Sequence, residues 1–218
     1  MEPSTLPVTP QQWKHVMKRD GEEVLTLSIR RPAFPNTGKT ARMERYFARI
    51  AQQWRSRWET LLFPEACQAL ADAREASKPF VPWKAELDYT VTLWHSPLLS
   101  LRLDTVETGP NPRPMQIRMG ETWDCERGYP RTLRSFFPAK AHRWRKNLLD
   151  SIREQAAQRL AAGESLLDPD CAQIMERSFD PDRYYLTEEG IAVFYPLYIL
   201  GAYAEGIPVF TVPIPGGD

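Results

Sequence analysis

The chain has 218 residues, of which 42% are hydrophobic, and these can fill the core of one large domain or of two small ones. Its 28 basic and 28 acidic residues cancel, which argues against general binding of nucleic acid or of a membrane surface. The charges are nevertheless separated along the chain, because ten acidic residues from Glu164 onward stand against only Arg177 and Arg183. We expect attraction between an acidic and a basic part of one fold, with a charge dipole that binds a partner as the alternative.

The N-terminal part predicts a β-hairpin. Met1–Gln11 contains several prolines and is expected to be a flexible arm. Asp20-Gly21 separates two runs suited to strands, Trp13–Lys18 and Glu22–Arg30, and this dipeptide is a strong short-range signal for a hairpin.

A long helix is predicted over Ala41–Leu62, where apolar residues recur at steps of three and four. Arginines occupy the opposite face, but the aromatic residues lie on the apolar stripe, whereas aromatic platforms for nucleic acid must be exposed. We therefore expect a solvated basic face rather than a nucleic-acid helix. Pro64 ends or kinks the helix, and Glu65–Ala76 restarts it.

The middle of the chain predicts three antiparallel strands and a second long helix. Apolar and polar residues alternate in three runs, as is typical of half-buried strands. These runs are Ala85–Leu93, Leu99–Leu103 and Met115–Met119. The proline-rich loop Gly109–Pro114 joins the last two strands. The helix is predicted over Ala139–Ala162, with an apolar stripe and with Gly163 as its C-terminal cap. The stripe consists of Trp144, Leu148, Ile152, Ala156 and Leu160.

The predicted start of this second helix carries positive charge at the positive end of the helix dipole, against the usual preference. The residues concerned are Lys140, His142, Arg143, Arg145 and Lys146. Two explanations stay open. The segment is either a patch for an anion or an acidic partner, or the place where the acidic tail of the chain packs.

The tail predicts strands that close the fold. Tyr184–Leu186 and Ile191–Tyr195 can pair as a hairpin around Glu188-Glu189-Gly190, where Gly190 supplies the positive φ. Ala202–Glu205 is long enough for one helical turn. We expect the final run, Val209–Ile214, to complete a sheet whose other strands come from far earlier in the chain.

Together these elements predict an α+β fold in which an antiparallel sheet is packed by two long helices, with an N-terminal hairpin and a C-terminal strand that returns to the sheet. The predicted organisation has three parts. These are a flexible arm over 1–11, a hairpin and helix subdomain over 12–82, and a sheet and helix subdomain over 83–218.

Two stretches resemble a known family. Tyr185-Leu-Thr, the acidic pair, Gly190, the apolar run ending in Phe194-Tyr195, and Tyr203-Ala-Glu-Gly206-Ile-Pro208 resemble the C-terminal signature of the extracytoplasmic domain of RsiV-type anti-sigma factors. A similar domain of unknown function accompanies some peptidoglycan deacetylases of the PdaC kind. Upstream, the stretch from Trp123 to Gly128 with Leu133 and Phe136-Phe137 resembles the family's strand, glycine turn and helix start, so the likeness spans about 12–214.

The resemblance implies a bacterial, non-catalytic module of the sensor type, because relatives recognise a protein ligand, lysozyme in the best-known case. Relatives display this domain outside the membrane behind a transmembrane helix. In this sequence no run approaches the roughly 18 apolar residues of a membrane span, and the first residues lack the features of a signal peptide. As written, the sequence predicts a cytoplasmic location, either as a stand-alone version of the domain or because an anchor is missing.

The residues offer little that predicts chemistry, and we expect no catalytic residue, no cofactor and no metal. The three histidines have no second ligand at metal spacing, and no nucleotide, zinc-protease or serine-hydrolase motif occurs. The three cysteines, Cys67, Cys125 and Cys171, have neither the number nor the spacing of a disulfide framework, and we expect them to be reduced and mostly buried. The alternative function is an enzyme, or an enzyme accessory, that acts on cell-wall polysaccharide.

A partner is expected to bind the loop Tyr195–Glu205 together with the proline-rich loop Gly109–Pro114, since each joins strand ends. Tyrosines anchor interfaces well because they combine a large apolar area and a hydroxyl with a small loss of side-chain entropy. The predicted partner-binding residues are Tyr195, Tyr198, Tyr203, Glu205, Arg113 and Arg143. The competing interpretation is that Tyr198 and Tyr203 only close the end of the sheet.

Overall fold

The computed structural model describes residues 8–109 and 111–215 and has an α+β fold. Strands β1 (Thr9–Arg19) and β2 (Glu22–Ala33) form the predicted hairpin. Its turn has positive φ at both Asp20 and Gly21, the combination whose twist matches that of two antiparallel strands. Because β1 begins at Thr9, the predicted arm over 1–11 is too long at its C-terminal end, and its residues 1–7 lie outside the described residues.

A long helical segment follows the hairpin. It consists of α1 (Thr40–Arg57), a π-helical turn (Trp58–Leu62) and α2 (Phe63–Glu75). Pro64 therefore neither ends the helix nor separates two helices. It lies in the first turn of α2, where the missing N–H is tolerated, and the wider π turn precedes it.

The four strands that follow belong to the same sheet as the hairpin. They are β3 (Trp83–His95), β4 (Leu98–Glu107), β5 (Met115–Asp124) and the short β6 (Tyr129–Pro130), and the sheet order is β1-β2-β3-β4-β5-β6. The prediction of an antiparallel sheet is wrong at one position, because β2 and β3 run parallel, with Leu25 opposite Trp83 and Ile29 opposite Leu87. Parallel neighbours need a long crossover connection, and the helical segment 40–75 provides it.

A second, three-stranded sheet contains the tail. Strands β7 (Tyr184–Thr187) and β8 (Gly190–Phe194) form the predicted hairpin, and β9 (Val209–Val212) pairs with β8. The prediction that the final strand returns to the sheet of earlier strands is therefore wrong. The strand pairs with its near neighbour in the chain, for which the entropic cost of loop closure is smaller.

The remaining helices are α3 (Trp144–Ala161) and α4 (Cys171–Ser178). The prediction of two long helices is confirmed only in part, because α3 begins five residues later than expected. The guanidinium of Arg134 donates to the carbonyls of Phe137, Pro138 and Ala139, at 2.9, 3.1 and 2.9 Å, and holds this stretch in a non-helical path. The described helices include none that is long and apolar enough to span a membrane.

The chain divides into two compact units. The first contains the chain up to Tyr89 and Leu103–Gln116, and the second contains Thr90–Arg102 and the chain from Ile117. Each unit combines separate segments of the chain. The predicted division into continuous subdomains over 12–82 and 83–218 stays a prediction. In the first unit, the buried face of β2 packs against α1 and α2.

In the second unit, α3 covers the small sheet. Its stripe of Leu148, Ile152 and Ala156 is buried, as predicted, in one apolar cluster with β7, β8 and Phe210 of β9. The outward backbone of β9 is occupied as well. Gln155 of α3 donates to the carbonyl of Thr211 at 2.9 Å, and Arg159, one turn later, donates to that of Val209 at 2.9 Å.

Strand β7 approaches the backbone of β5 at Gly120. A Cβ atom at this position would lie 1.8 Å from the carbonyl oxygen of Tyr184 and 2.6 Å from its carbonyl carbon, which only glycine avoids. Two strand positions further along β7, the N–H of Leu186 donates to the hydroxyl of the fully buried Ser100 at 2.8 Å. The same hydroxyl lies 2.9 Å from that of Thr122.

We predict that Gly120→Ala lowers the free energy of unfolding by about 3 kcal/mol, because backbone atoms that cannot rotate away occupy the space of the new methyl group. Chemical denaturation measures the effect. Gly109→Ala is the matched control, since its Cβ would meet nothing closer than the Trp83 ring at 3.9 Å. A Gly120→Ala protein as stable as this control would show that β7 does not pack on β5 in this way.

Candidate functional site

The loop Tyr195–Glu205, which we call the tyrosine loop, joins β8 to β9. It is fixed to the segment that precedes α4. Leu200 is fully buried and its carbonyl accepts the N–H of Asp168 at 2.8 Å, while Gly201 forms a bridge with Leu167. A Cβ atom at Gly201 would lie 2.5 Å from the carbonyl oxygen of Leu166, so the two segments are in backbone contact there. Backbone contacts with residues 166–168 therefore fix the middle of the loop.

Glu205 adds a second anchor. It ends the predicted helical turn, which the structure shows as a 3-10 turn over Tyr203–Glu205. Its carboxylate accepts hydrogen bonds from the hydroxyl of Ser165 at 3.0 Å and from the N–H of Leu166 at 2.5 Å. Glu205, predicted to bind a partner, thus holds the loop in place from within the protein.

Tyr195 lies in the core rather than on the surface, which removes it from the candidate site. Its side chain is 1% exposed, its hydroxyl donates to the carbonyl of Met175 at 3.1 Å, and its ring lies edge-on to Phe210. Burial raises the pKa of Tyr195 above its ordinary value. The apolar run of β8 simply continues through this residue, so the sequence pattern offered no signal that the loop begins after it.

Tyr198 and Tyr203 are the aromatic residues that the loop presents. Tyr198 is 48% exposed, and its ring centroid lies 5.8 Å from that of the half-buried Tyr203, with the rings inclined at 43°. Leu166, whose N–H binds Glu205, is 59% exposed. We call Leu166, Tyr198 and Tyr203 the tyrosine surface.

Tyr198 has a left-handed backbone conformation, with φ of +68°. For a residue with a bulky side chain this conformation costs roughly 1–2 kcal/mol relative to the right-handed one. The cost is tolerated because the burial of Leu200 and the anchor at Glu205 fix the backbone on the C-terminal side of Tyr198. A glycine would satisfy the same backbone without strain.

The segment beside the tyrosine surface is acidic. Glu164, Asp168 and Asp170 are exposed, and their carboxylates make no ion pair within residues 8–109 and 111–215. The salt bridges that do involve the acidic part of the chain include Arg153–Glu176, Arg183–Asp180 and, when the histidine is protonated, His95–Glu188. Much of the acidic charge therefore remains available to a partner.

The two predicted arginines lie elsewhere. Arg113 belongs to the first unit, in the loop predicted over Gly109–Pro114, and its N–H donates to the side-chain oxygen of Asn111 at 3.0 Å. Pro110 of this loop lies outside the described residues. Arg143 immediately precedes α3 and is exposed, and in the described part of the chain no contact links it to the tyrosine surface.

Burial favours the protonated form of two thiols, those of Cys125 and Cys171. Burial raises the pKa of the Cys125 thiol to about 11, with a further contribution from the carboxylate of Asp124, and burial likewise raises the pKa of Cys171. Because the thiolate is the nucleophilic form, both groups are poor nucleophiles at neutral pH. Across the described part of the chain, no three His, Cys, Asp or Glu side chains are grouped so that they could hold a metal ion.

We predict that Tyr198→Gly is more stable than Tyr198→Ala by about 1 kcal/mol, because only glycine adopts a φ of +68° without strain. The same pair of substitutions at the exposed Tyr129 of β6 is the control, and there glycine should be the less stable one because it weakens a strand. Chemical denaturation of the four variants gives both differences. The same order at both positions would contradict the strain at Tyr198.

Comparisons with known proteins agree with this fold. A crystal structure of a member of the DUF3298 family from Bacteroides fragilis NCTC 9343 has a TM-score of 0.65 at 15% identity, and the similarity covers 94% of this chain and 89% of that one. A DUF3298 family protein from Pseudomonas aeruginosa PAO1 has a TM-score of 0.62 at 16% identity, with 97% and 92% covered. No match to a curated protein was found. Residues 136–214, which include the whole tyrosine loop, match the family described as "Protein of unknown function (DUF3298)".

Proposed function

We propose that this chain is a non-catalytic binding domain of the sensor type, which recognises a protein ligand through the tyrosine surface. The main observation behind the proposal is that the exposed Tyr198 has a left-handed backbone conformation. A side chain that is half exposed contributes little to the core, yet it occupies a backbone position where glycine would be less strained. Strain of this kind is typical of positions where a side chain serves binding.

The composition of the surface supports the same proposal. Leu166 and the two tyrosine rings combine apolar area with hydroxyl groups, as interface anchors do, and the backbone contacts at Leu200 and Gly201 present them in a fixed arrangement. A fixed surface loses less conformational entropy on binding than a mobile one. The unpaired carboxylates nearby favour a ligand with a basic surface.

The resemblance to RsiV-type sensor domains, which stays a prediction, suggests lysozyme as the first ligand to test. The match to a family of unknown function over 136–214 and the similar folds are compatible with such a role. The protonated thiols favour a binding role over covalent catalysis.

Lysozyme binding by this chain should depend on the tyrosine surface. We expect Tyr198→Ala and Tyr203→Ala each to weaken binding by about 5- to 30-fold, which corresponds to the 1–2 kcal/mol of an interface anchor. Tyr129→Ala is the matched control, because it removes an exposed tyrosine of the same unit. Biolayer interferometry gives the affinities, and thermal melting verifies that the variants are folded.

Three results would count against the proposal. These are a wild-type protein that does not bind lysozyme, an equal loss of affinity in Tyr129→Ala, and binding that survives both loop substitutions.

A separate experiment with an oligosaccharide tests the alternative function, an enzyme that acts on cell-wall polysaccharide. Incubation with chitotetraose, followed by mass spectrometry, should show neither cleavage nor loss of acetyl groups, and either product would favour an enzyme.

Thiol reactivity gives a separate test of the non-catalytic part of the proposal. The neutral thiol of Cys125 is favoured in the fold, so its stabilising contribution is complete below about pH 9 and is lost as the pH rises towards about 11. Mass spectrometry can measure the rate at which iodoacetamide alkylates Cys125. We expect this rate to be low at pH 7 and to reach half of its maximum near pH 11. Rapid alkylation at pH 7 would indicate an activated thiol.

A further inference from the structure

The segment before and at the start of α3 is basic on its surface. All five of its Lys, Arg and His residues are exposed, and we call them the basic segment: Lys140, His142, Arg143, Arg145 and Lys146. Lys146 pairs with Asp150, and the guanidinium of Arg145 lies over the Phe179 ring at 5.1 Å. In the described part of the chain, Lys140, His142 and Arg143 have no hydrogen-bond, ionic or ring partner for their side chains.

The backbone that carries these three side chains is fixed. Besides the three carbonyls held by Arg134, the N–H of Ala141 donates to the carbonyl of Pro138 at 2.9 Å, and that of Trp144 donates to Ala141 at 3.2 Å. The Phe137 and Trp144 rings pack against each other at 5.1 Å and against the core. The side chains therefore project from an ordered base, and little backbone freedom is lost when they bind a partner.

The tail packs beside this segment through Phe179, but among the described residues it supplies no carboxylate partner to Lys140 or Arg143. This favours the first of the two explanations that the sequence left open. The ion pair of α3 with the acidic part is Arg153–Glu176, more than two helical turns beyond Arg143. Residues 8–109 and 111–215 supply no carboxylate to Lys140, His142 or Arg143. The cationic side chains of Lys140 and Arg143 lie three residues apart and repel each other, and an external anion would relieve this repulsion.

We propose that the basic segment binds an acidic segment of a partner protein, with two carboxylates pairing with Lys140 and Arg143. The small extent of the free charge favours this partner over a nucleic acid, whose binding depends on many phosphate contacts along a track. The neighbouring aromatic rings are half-buried and packed on each other, so they offer no platform for stacked bases. This surface is separate from the tyrosine surface and does not depend on the function proposed for it.

Hexaglutamate is the probe for this interaction. In an NMR titration of the ¹⁵N-labelled full chain at low salt, we expect amide shifts confined to residues 139–147 and lost at 300 mM NaCl. The double substitution Lys140→Gln/Arg143→Gln should weaken binding by about fivefold or more, as expected for two exposed ion pairs. Lys140→Arg/Arg143→Lys retains the charges and should bind like the wild type.

The matched control is Arg45→Gln/Arg49→Gln on α1, which removes the same charge from two exposed arginines without partners among the described residues. An equal loss in this control would show a net-charge effect and overturn the proposal. So would the absence of shifts at low salt, or tighter binding of a hexathymidylate than of hexaglutamate. Salt-sensitive self-association in the ultracentrifuge, abolished by Lys140→Gln/Arg143→Gln, would assign the segment to a second copy of this chain and overturn the proposal as well.

Discussion

The backbone contact between β7 and β5 at Gly120 is the constraint on which the second unit depends. A carbonyl oxygen takes the place that any Cβ would need, and the buried N–H of Leu186 has the Ser100 hydroxyl as its acceptor. A buried N–H without an acceptor is costly, so this hydrogen bond to Ser100 of β4 fixes the position of β7 along its own axis, while Gly120 of β5 permits its close approach. Strands β8 and β9 are then built outward from β7 by antiparallel pairing.

This order of dependence explains why the tyrosine loop can hold a strained residue. The loop starts at the end of β8, returns at β9, and between them is tied to the segment before α4 by Leu200, Gly201 and Glu205. Its ends and its middle are therefore set by contacts that do not involve the Tyr198 side chain. A left-handed backbone at Tyr198 follows from these contacts, and the ring is free to face solvent.

Local sequence patterns predicted the elements that local physics determines. The Asp20-Gly21 turn, the α3 stripe and the β7–β8 hairpin each need only neighbouring residues, and all three are present. Strand partners are different, because alternation along a strand shows which face is buried but not which strand lies beside it. The parallel pairing of β2 with β3 and the local pairing of β9 were missed for this reason.

The sequence predicted the position of the loop between β8 and β9 but not the environment of each residue in it. The apolar run that includes Tyr195 has no mark where β8 leaves the core, so a buried tyrosine and an exposed one look alike in the sequence. Glu205 likewise looks like a surface carboxylate until its hydrogen bonds to Ser165 and Leu166 are seen. The sequence around Tyr198 does not predict a positive φ, because bulky residues such as tyrosine rarely adopt one.

The hydrogen bonds from α3 to β9 have a consequence for the behaviour of the protein at high concentration. An edge strand with free carbonyls is a template on which a strand from another molecule can add, and this is a common route to fibrils. Here Gln155 and Arg159 occupy the outward carbonyls of Thr211 and Val209, so these two acceptors are not available to an added strand. Polymerisation through β9 would therefore first require α3 to detach from it.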